Sequence, residues 1–386
     1  MNGDSVRLLT EWILGFAVNG TVVLGTLALL SRWGRPASPA LRDLAWKAGV
    51  VAVAVSSAVG VFGAGDTAPG SPPGGAVLER TVLMTRAGES TVRASERITV
   101  PGLARRSEAC ADLTGRPAVP SPERARSIRE ACGGPLDAVP GVLVALWGAG
   151  ALLGLLGLAR DALALRREVA RSGPADPATD RLLDDLRVRA GVGDAVRVVV
   201  LPGLASPAAL GSRLIGLPPE AQDEMTPLEL EAVLAHELAH LRRGDPYWVT
   251  VLAAVDALCW FQPLVGRARR EIRDAGEVLA DDRAVSWTGR PLELARSLAR
   301  AAEWLTPGRR LPALAVVRPG AGVLAGRVAR LVDARSGTAR IHWLVAPALV
   351  AFLVALQGAL PAIRVPPPVD VDVSVTLASA PAPRLP

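Results

Sequence analysis

Lysine is almost missing from this chain: Lys47 is the only one, and the other forty-two of its forty-three basic residues are arginine. No G-K-[ST] phosphate loop can be built without a second, suitably placed lysine. Leu44 stands three residues before Lys47 where serine would be needed, so the S-x-x-K of acyl-serine penicillin binding is excluded too. The three cysteines, Cys110, Cys132 and Cys259, have no C-x-x-C spacing, which removes cysteine-rich zinc knuckles and thioredoxin-like redox motifs. A net charge of +6 and a pI near 10.3 would suit nucleic acid. No recognition helix, zinc-finger spacing or aromatic stacking motif accompanies the arginines, so no direct nucleic-acid partner is expected.

Apolar residues are abundant. Half of the 386 residues are hydrophobic and the mean hydropathy is +0.31, high for a chain that stays in water. Four uncharged runs, residues 12–31, 48–65, 138–159 and 341–363, approach or exceed the roughly 20 residues that cross a bilayer, the second being the shortest. Trp12, Trp33, Trp46 and Trp343 lie at or near the ends of these runs, where an amphipathic ring prefers the headgroup level. Arg32, Arg35, Arg42 and Lys47 crowd the connection between runs one and two. Arg160, Arg166, Arg167 and Arg171 follow run three, and Arg335 and Arg340 precede run four. Positive charge marks the cytoplasmic side, so both termini are expected outside and residues 160–340 inside.

The division that follows is two N-terminal spans with a short cytoplasmic loop (1–65), an extracytoplasmic loop (66–137), a third span (138–159), a cytoplasmic domain (160–340), a fourth span (341–363) and an extracytoplasmic proline-rich tail (364–386). The first span is read as retained, since no A-x-A cleavage site follows it. Cys110 and Cys132 share the outer loop, a compartment where disulfides persist, so a bridge between them is expected; two unpaired small residues are the alternative. Within 160–340, residues 172–179 read as a linker, 180–190 as a helix, and 196–201 and 214–217 as short strands. Further helices are expected at 227–243, 264–287 and 291–305. Residues 246–266 are apolar around Asp256, which suggests a partly buried or re-entrant helix with that acid either lining a polar cavity or simply packed.

The informative stretch is His236-Glu237-Leu238-Ala239-His240. Histidines at i and i+4 leave one helical face close enough to share a zinc ion, and the glutamate between them reaches water at that ion. Thr226, Pro227 and Glu229 provide a capping box with proline at the first helical position, so the motif should lie on a true helix. With three histidines in 386 residues and glutamate near ~0.05, the chance expectation of the motif is on the order of 10⁻³ per chain. The competing reading is two core histidines beside an incidental glutamate.

A catalytic zinc needs a third protein ligand and an open position. Arg243 occupies the position where a metzincin continuation would require glycine. Glu277 and Asp281, at i and i+4 in a later helix, suit the task best: Glu277 as metal ligand and Asp281 as hydrogen-bond partner of a ligand histidine, a glutamate-zincin arrangement. Glu271, Asp274 and Asp282 compete for the same role. With one zinc per chain, Glu237 is the candidate general base for peptide hydrolysis. His342 and Tyr247 are candidates for oxyanion stabilisation on chemistry alone. The fold class expected is an α-helical membrane protein with about four transmembrane helices and a cytoplasmic α+β glutamate-zincin metalloprotease domain.

These motifs carry a resemblance. SPAALGSRLIGLP (206–218), LELEAVLAHELAHLRRGD (228–245), WFQP (260–263), REIRDAGEVLADDRAV (270–285) and GRVARLV (326–332) resemble the BlaR/MecR-type membrane zinc metallopeptidases, the beta-lactam and methicillin-resistance sensor-transducers. The resemblance implies zinc held by His236, His240 and Glu277, catalysis by Glu237, and cleavage of a cytosolic transcriptional repressor, the protein itself, or both, on an external cue. Ala280 replaces a cysteine often found in the family, and only residues 364–386 follow run four, so no penicillin-binding sensor domain is expected. The alternatives are a quality-control membrane protease and a non-catalytic signalling scaffold with a structural metal. The expected partners are a peptide or protein substrate and the lipid bilayer, with homo-oligomerisation left open.

Overall fold

The computed structural model describes residues 3–33, 38–62, 76–86, 90–100, 138–193, 196–304, 321–333, 351–353 and 355. Helix α1 covers Gly3–Trp33 and α2 Pro39–Phe62; β1 (Ala76–Arg86) and β2 (Ser90–Val100) form an antiparallel hairpin with Ala76 opposite Val100; α3 covers Val139–Ala170. The remainder is a mixed α+β subdomain: β3 (Gly173–Pro174), α4 (Pro177–Ala190), β4 (Arg197–Val200), β5 (Ala208–Leu210), β6 (Leu214–Leu217), α5 (Pro219–Glu224), α6 (Pro227–Arg243), α7 (Asp245–Leu258), α8 (Pro263–Thr288), α9 (Pro291–Glu303) and α10 (Ala321–Val332). Two compact units result, one of Met1–Gly15, Ala58–Leu146 and Ala362–Pro386, the other of Phe16–Ser57 and Trp147–Pro361.

Two helices are long and apolar enough to span a bilayer, Ser5–Arg32 within α1 and Val139–Ala170. Along α3 the leucines point outward: Leu153 is 71% and Leu152 58% exposed, the opposite of a soluble core helix and what a lipid-facing helix requires. In α1 the hydroxyls of Thr10, Thr21 and Thr26 each donate to the carbonyl four residues earlier, which satisfies these three groups within the helix. The expectation of about four spans is corrected to two among the described residues. Helix α2 is uncharged only from Ala48 to its end at Phe62, about 22 Å at 1.5 Å per residue, short of a hydrocarbon core of about 30 Å. Most of residues 341–363 lie outside the described residues, as do Cys110, Cys132 and His342.

The four-stranded sheet has the order β3-β4-β6-β5; β4 and β6 are parallel, and the two outer pairings are antiparallel. Its parallel pair carries Val198, Ile215 and Leu217 into a core shared with Leu183 and Leu186 of α4 and Leu234 and Leu238 of α6. The expected linker at 172–179 instead pairs Gly173 with Val200 and starts α4 at Pro177, capped by Asp176. Gly216 is needed in β6 because an added Cβ would come within 2.7 Å of Leu201 Cδ1. The apolar stretch after Asp245 forms helix α7, which ends at Leu258; a turn follows, and α8 starts at Pro263. There α3 approaches through Gly150 and Gly154, where a Cβ would meet Trp260 and Ala257; Trp147 Nε1 donates to the Leu258 carbonyl and Trp260 Nε1 to that of Trp147. Asp256 pairs with Arg269 at 3.2 Å, both partly exposed.

Helix α6 starts as its sequence requires. Thr226 Oγ1 accepts from Glu229 N, Glu229 Oε2 accepts from Thr226 N, and Pro227 takes the first helical position. Replacing Thr226 with alanine removes one half of this box and is expected to cost about 1 kcal/mol. Denaturant unfolding of the purified chain reads it directly, and an unchanged midpoint would mean that the cap contributes nothing.

Candidate metal centre

The box fixes the start of α6, and every residue from Glu229 to His240 is buried. The one-turn spacing brings His236 and His240 edge to face, with ring centroids 4.7 Å and Nε2 atoms 3.1 Å apart. Helix α8 packs against α6 and presents Glu277 to the same point: its Oε2 lies 3.6 Å from His236 Nε2 and its Oε1 3.8 Å from His240 Nε2. One ligand atom from each of the three residues falls within 4.8 Å of the others, and all three side chains are buried.

Each imidazole has a carboxylate behind it. His236 Nδ1 is 3.1 Å from Asp281 Oδ1, and His240 Nδ1 is 2.7 Å from Asp245 Oδ2. A carboxylate behind Nδ1 fixes the tautomer and turns Nε2 toward a metal. Asp245 was not anticipated. Gly244, at φ 72°, closes α6 in the left-handed conformation and reverses the chain, so that the first residue of α7 returns beneath His240. The pattern H-L-R-R-G-D carries that signal, a C-terminal glycine followed at once by an acid.

Arg327 of α10 is the second unanticipated member and the more consequential. Its Nε and Nη2 donate to Asp281 Oδ2 and Oδ1 at 2.8 and 2.7 Å, Nη1 lies 2.6 Å from Glu277 Oε2, and Nη2 lies 3.4 Å from His236 Nε2. Its side chain is almost wholly buried. The pair of arginines in G-R-V-A-R-L-V, on an otherwise apolar helix, was the available sign. Arg330, one turn on, bonds Asp282 Oδ1 and the Val278 carbonyl.

The competing acids are engaged elsewhere. Glu271 pairs with Arg42 at 2.8 Å and Arg267 at 3.6 Å, Asp282 pairs with Arg330, and Asp274 is absent from the cluster. Tyr247 is 69% exposed, and Cys259 is a buried free thiol. Glu237 is buried, and its Oε2 has no hydrogen-bond partner among the described residues.

Charge sets the protonation states. Burial alone would raise the Glu277 pKa, but the Arg327 guanidinium together with His236 and His240 outweighs it and holds the carboxyl ionised. Asp281 is brought down to about 2 against its own burial, again chiefly by Arg327. Burial would strip the proton from His236, yet the carboxylates of Asp281 and Glu277 prevail and raise its pKa to about 10. Burial opposes the Asp245 carboxylate, and the His240 contact lowers its pKa all the same.

Two imidazole nitrogens and one carboxylate, backed by second carboxylates, are a donor set of the kind that holds a catalytic divalent metal with a position left open. Residues 132–292 match the family model described as BlaR1 peptidase M56. That stretch holds His236, Glu237, His240, Glu277 and Asp281, and the triad within it is arranged like the active site of an HExxH zinc protease. A search of the curated proteins finds no match.

The His236 shift makes metal uptake a proton-release reaction. A pKa raised from 6.5 to about 10 stabilises the metal-free fold fully below pH 6.5, and this contribution fades as pH rises through about 10. At pH 7, uptake of a divalent metal is therefore expected to release about one proton, with affinity increasing as pH rises. Titration calorimetry in buffers of different ionisation enthalpy measures this. A heat independent of buffer would show that His236 is already neutral.

Proposed function

We propose that the chain is an integral membrane zinc endopeptidase of the BlaR1 type, a signal transducer that cleaves a cytosolic transcriptional repressor, itself, or both in response to an external cue. The observation that carries the hydrolytic part is Glu237: a buried carboxylate oxygen without a partner, on the same helix as two histidines whose Nε2 atoms face each other and Glu277. His236, His240 and Glu277 would hold one zinc ion, with Asp281 orienting His236. Zinc, when bound, supplies Lewis acidity that polarises the scissile carbonyl and makes a water more acidic. Glu237 takes a proton from the attacking water as its oxygen joins the carbonyl carbon. It then delivers that proton to the amine nitrogen as the C–N bond breaks.

Arginine placement supports a cytosolic protease. The segments 32–47 and 160–171 both carry the positive charge of a cytoplasmic surface, and the connection between them must leave and return. In this reading α2 crosses together with residues 63–65, 341–363 form the fourth span, and both termini lie outside. The repressor role rests on the family match of the peptidase module. A neighbouring repressor gene would strengthen it, whereas broad cleavage of damaged proteins would favour a housekeeping protease.

The test is purified wild type beside Glu237→Ala in nanodiscs, with zinc content and cleavage of co-encoded repressor candidates and of the chain itself as readouts. The variant is expected to retain zinc and lose cleavage by about 10²- to 10⁴-fold. Equal cleavage in both, or a biological output that persists without any cleavage, would replace the protease by a scaffold with a structural metal.

A further inference from the structure

The cytoplasmic end of α2 holds charged residues that the peptide-hydrolysis reading leaves unused, and they converge on the support of His240. Asp43 Oδ2 accepts from Lys47 Nζ at 2.9 Å and from Arg243 Nη2 at 3.2 Å. Arg243 Nε in turn donates, at 3.0 Å, to Asp245 Oδ2, the same oxygen that lies 2.7 Å from His240 Nδ1. Lys47 Nζ lies 4.0 Å from the other Asp245 oxygen and 5.1 Å above the Trp248 ring, which limits where its charge can go. The four charges alternate in sign and are only 13 to 21% exposed, so each is shielded enough for loss of a neighbour to be felt.

The neighbouring residue adds a second link. Arg42 pairs with Glu271 of α8 at 2.8 Å, on the helix that carries Glu277. A single turn of α2 thus touches both parts of the chain that supply the metal donors: the α6–α7 junction through Asp43, and α8 through Arg42. Arg243 alone could not fix Asp245. It is the last residue of α6 and has a long side chain, and what sets its direction is the acid on α2 that engages its other nitrogen.

We propose that Asp43 is a positioning residue for His240, acting through Arg243 and Asp245, so that metal affinity depends on where α2 stands. This deepens the metalloprotease reading and rests on it. The apolar half of α2 leads to the segment that the reading above places outside the membrane, so a displacement of α2 would reach His240 by loosening the Arg243–Asp245 pair. Asp43 itself touches neither substrate nor metal.

The experiment measures zinc affinity by chelator competition on the full chain in nanodiscs, with thermal unfolding followed in parallel. Asp245→Asn is expected to weaken zinc binding about 10- to 100-fold, as loss of a direct partner of a metal ligand does, and Asp43→Asn about tenfold. Asp43→Glu should restore most of the affinity. The double variant Asp43→Asn/Asp245→Asn should bind zinc no more weakly than Asp245→Asn alone, because the two residues act in series. Additive losses, or an Asp43→Asn that lowers the unfolding midpoint and leaves affinity untouched, would overturn the proposal while the metal site stands. A wild type that binds no zinc would instead overturn the metalloprotease reading, and this proposal with it.

Discussion

Burying Glu237, Glu277 and Asp281 around two imidazoles is the constraint on which the arrangement of this domain depends. Carboxylates removed from water are costly unless a fixed cation stands among them. Arg327 is that cation: its fork spans Glu277 and Asp281 on one face of α8, from a helix more than forty residues further along the chain. The packing of α10 and the ionisation of the metal ligands are therefore one interaction viewed from two sides. Breaking it would leave buried charge, which is far more costly than losing a surface pair.

The same economy governs the histidines. Each has a carboxylate at Nδ1, one drawn from α8 and one from the start of α7. Asp281 is engaged by Arg327, and Asp245 by Arg243. Behind each imidazole there is accordingly a carboxylate, and behind each carboxylate an arginine. Such layered partners restrict ring rotation more than a carboxylate alone, which is how a helical site can keep donor atoms aimed at a point with only three ligands.

Much of this was legible in the sequence where the signal was local. The capping box placed the start of α6, periodicity gave α6 its full extent and α8 to within a residue at each end, and Glu277 and Asp281 share a face because four residues make one turn. What escaped was non-local or too short. Arg327 meets Asp281 across 46 positions, and no spacing rule connects an arginine in one helix to an acid in another. Asp245 needed the reversal at Gly244 to be recognised as a neighbour of His240. Strands β3 and β5, of two and three residues, offer no period to read, and the β1–β2 hairpin lay within what was read as a loop. Helix α2 falls short of a full span among the described residues for a related reason: the uncharged run reads on to Gly65, while the described helix ends at Phe62 and begins with charges engaged by the protease domain.

The near absence of lysine takes on a mechanical meaning once these contacts are seen. A planar guanidinium holds two acceptors at a set angle, whereas an ammonium is a point charge that its partner can circle. Arg243 joins Asp43 to Asp245, Arg327 joins Asp281 to Glu277, and Arg330 joins Asp282 to a backbone carbonyl. Helices fastened by such forks resist turning about their own axes as well as sliding past one another. Torque applied to one helix is then passed to its neighbour, and a rotation at the membrane would reach the imidazoles as a rotation.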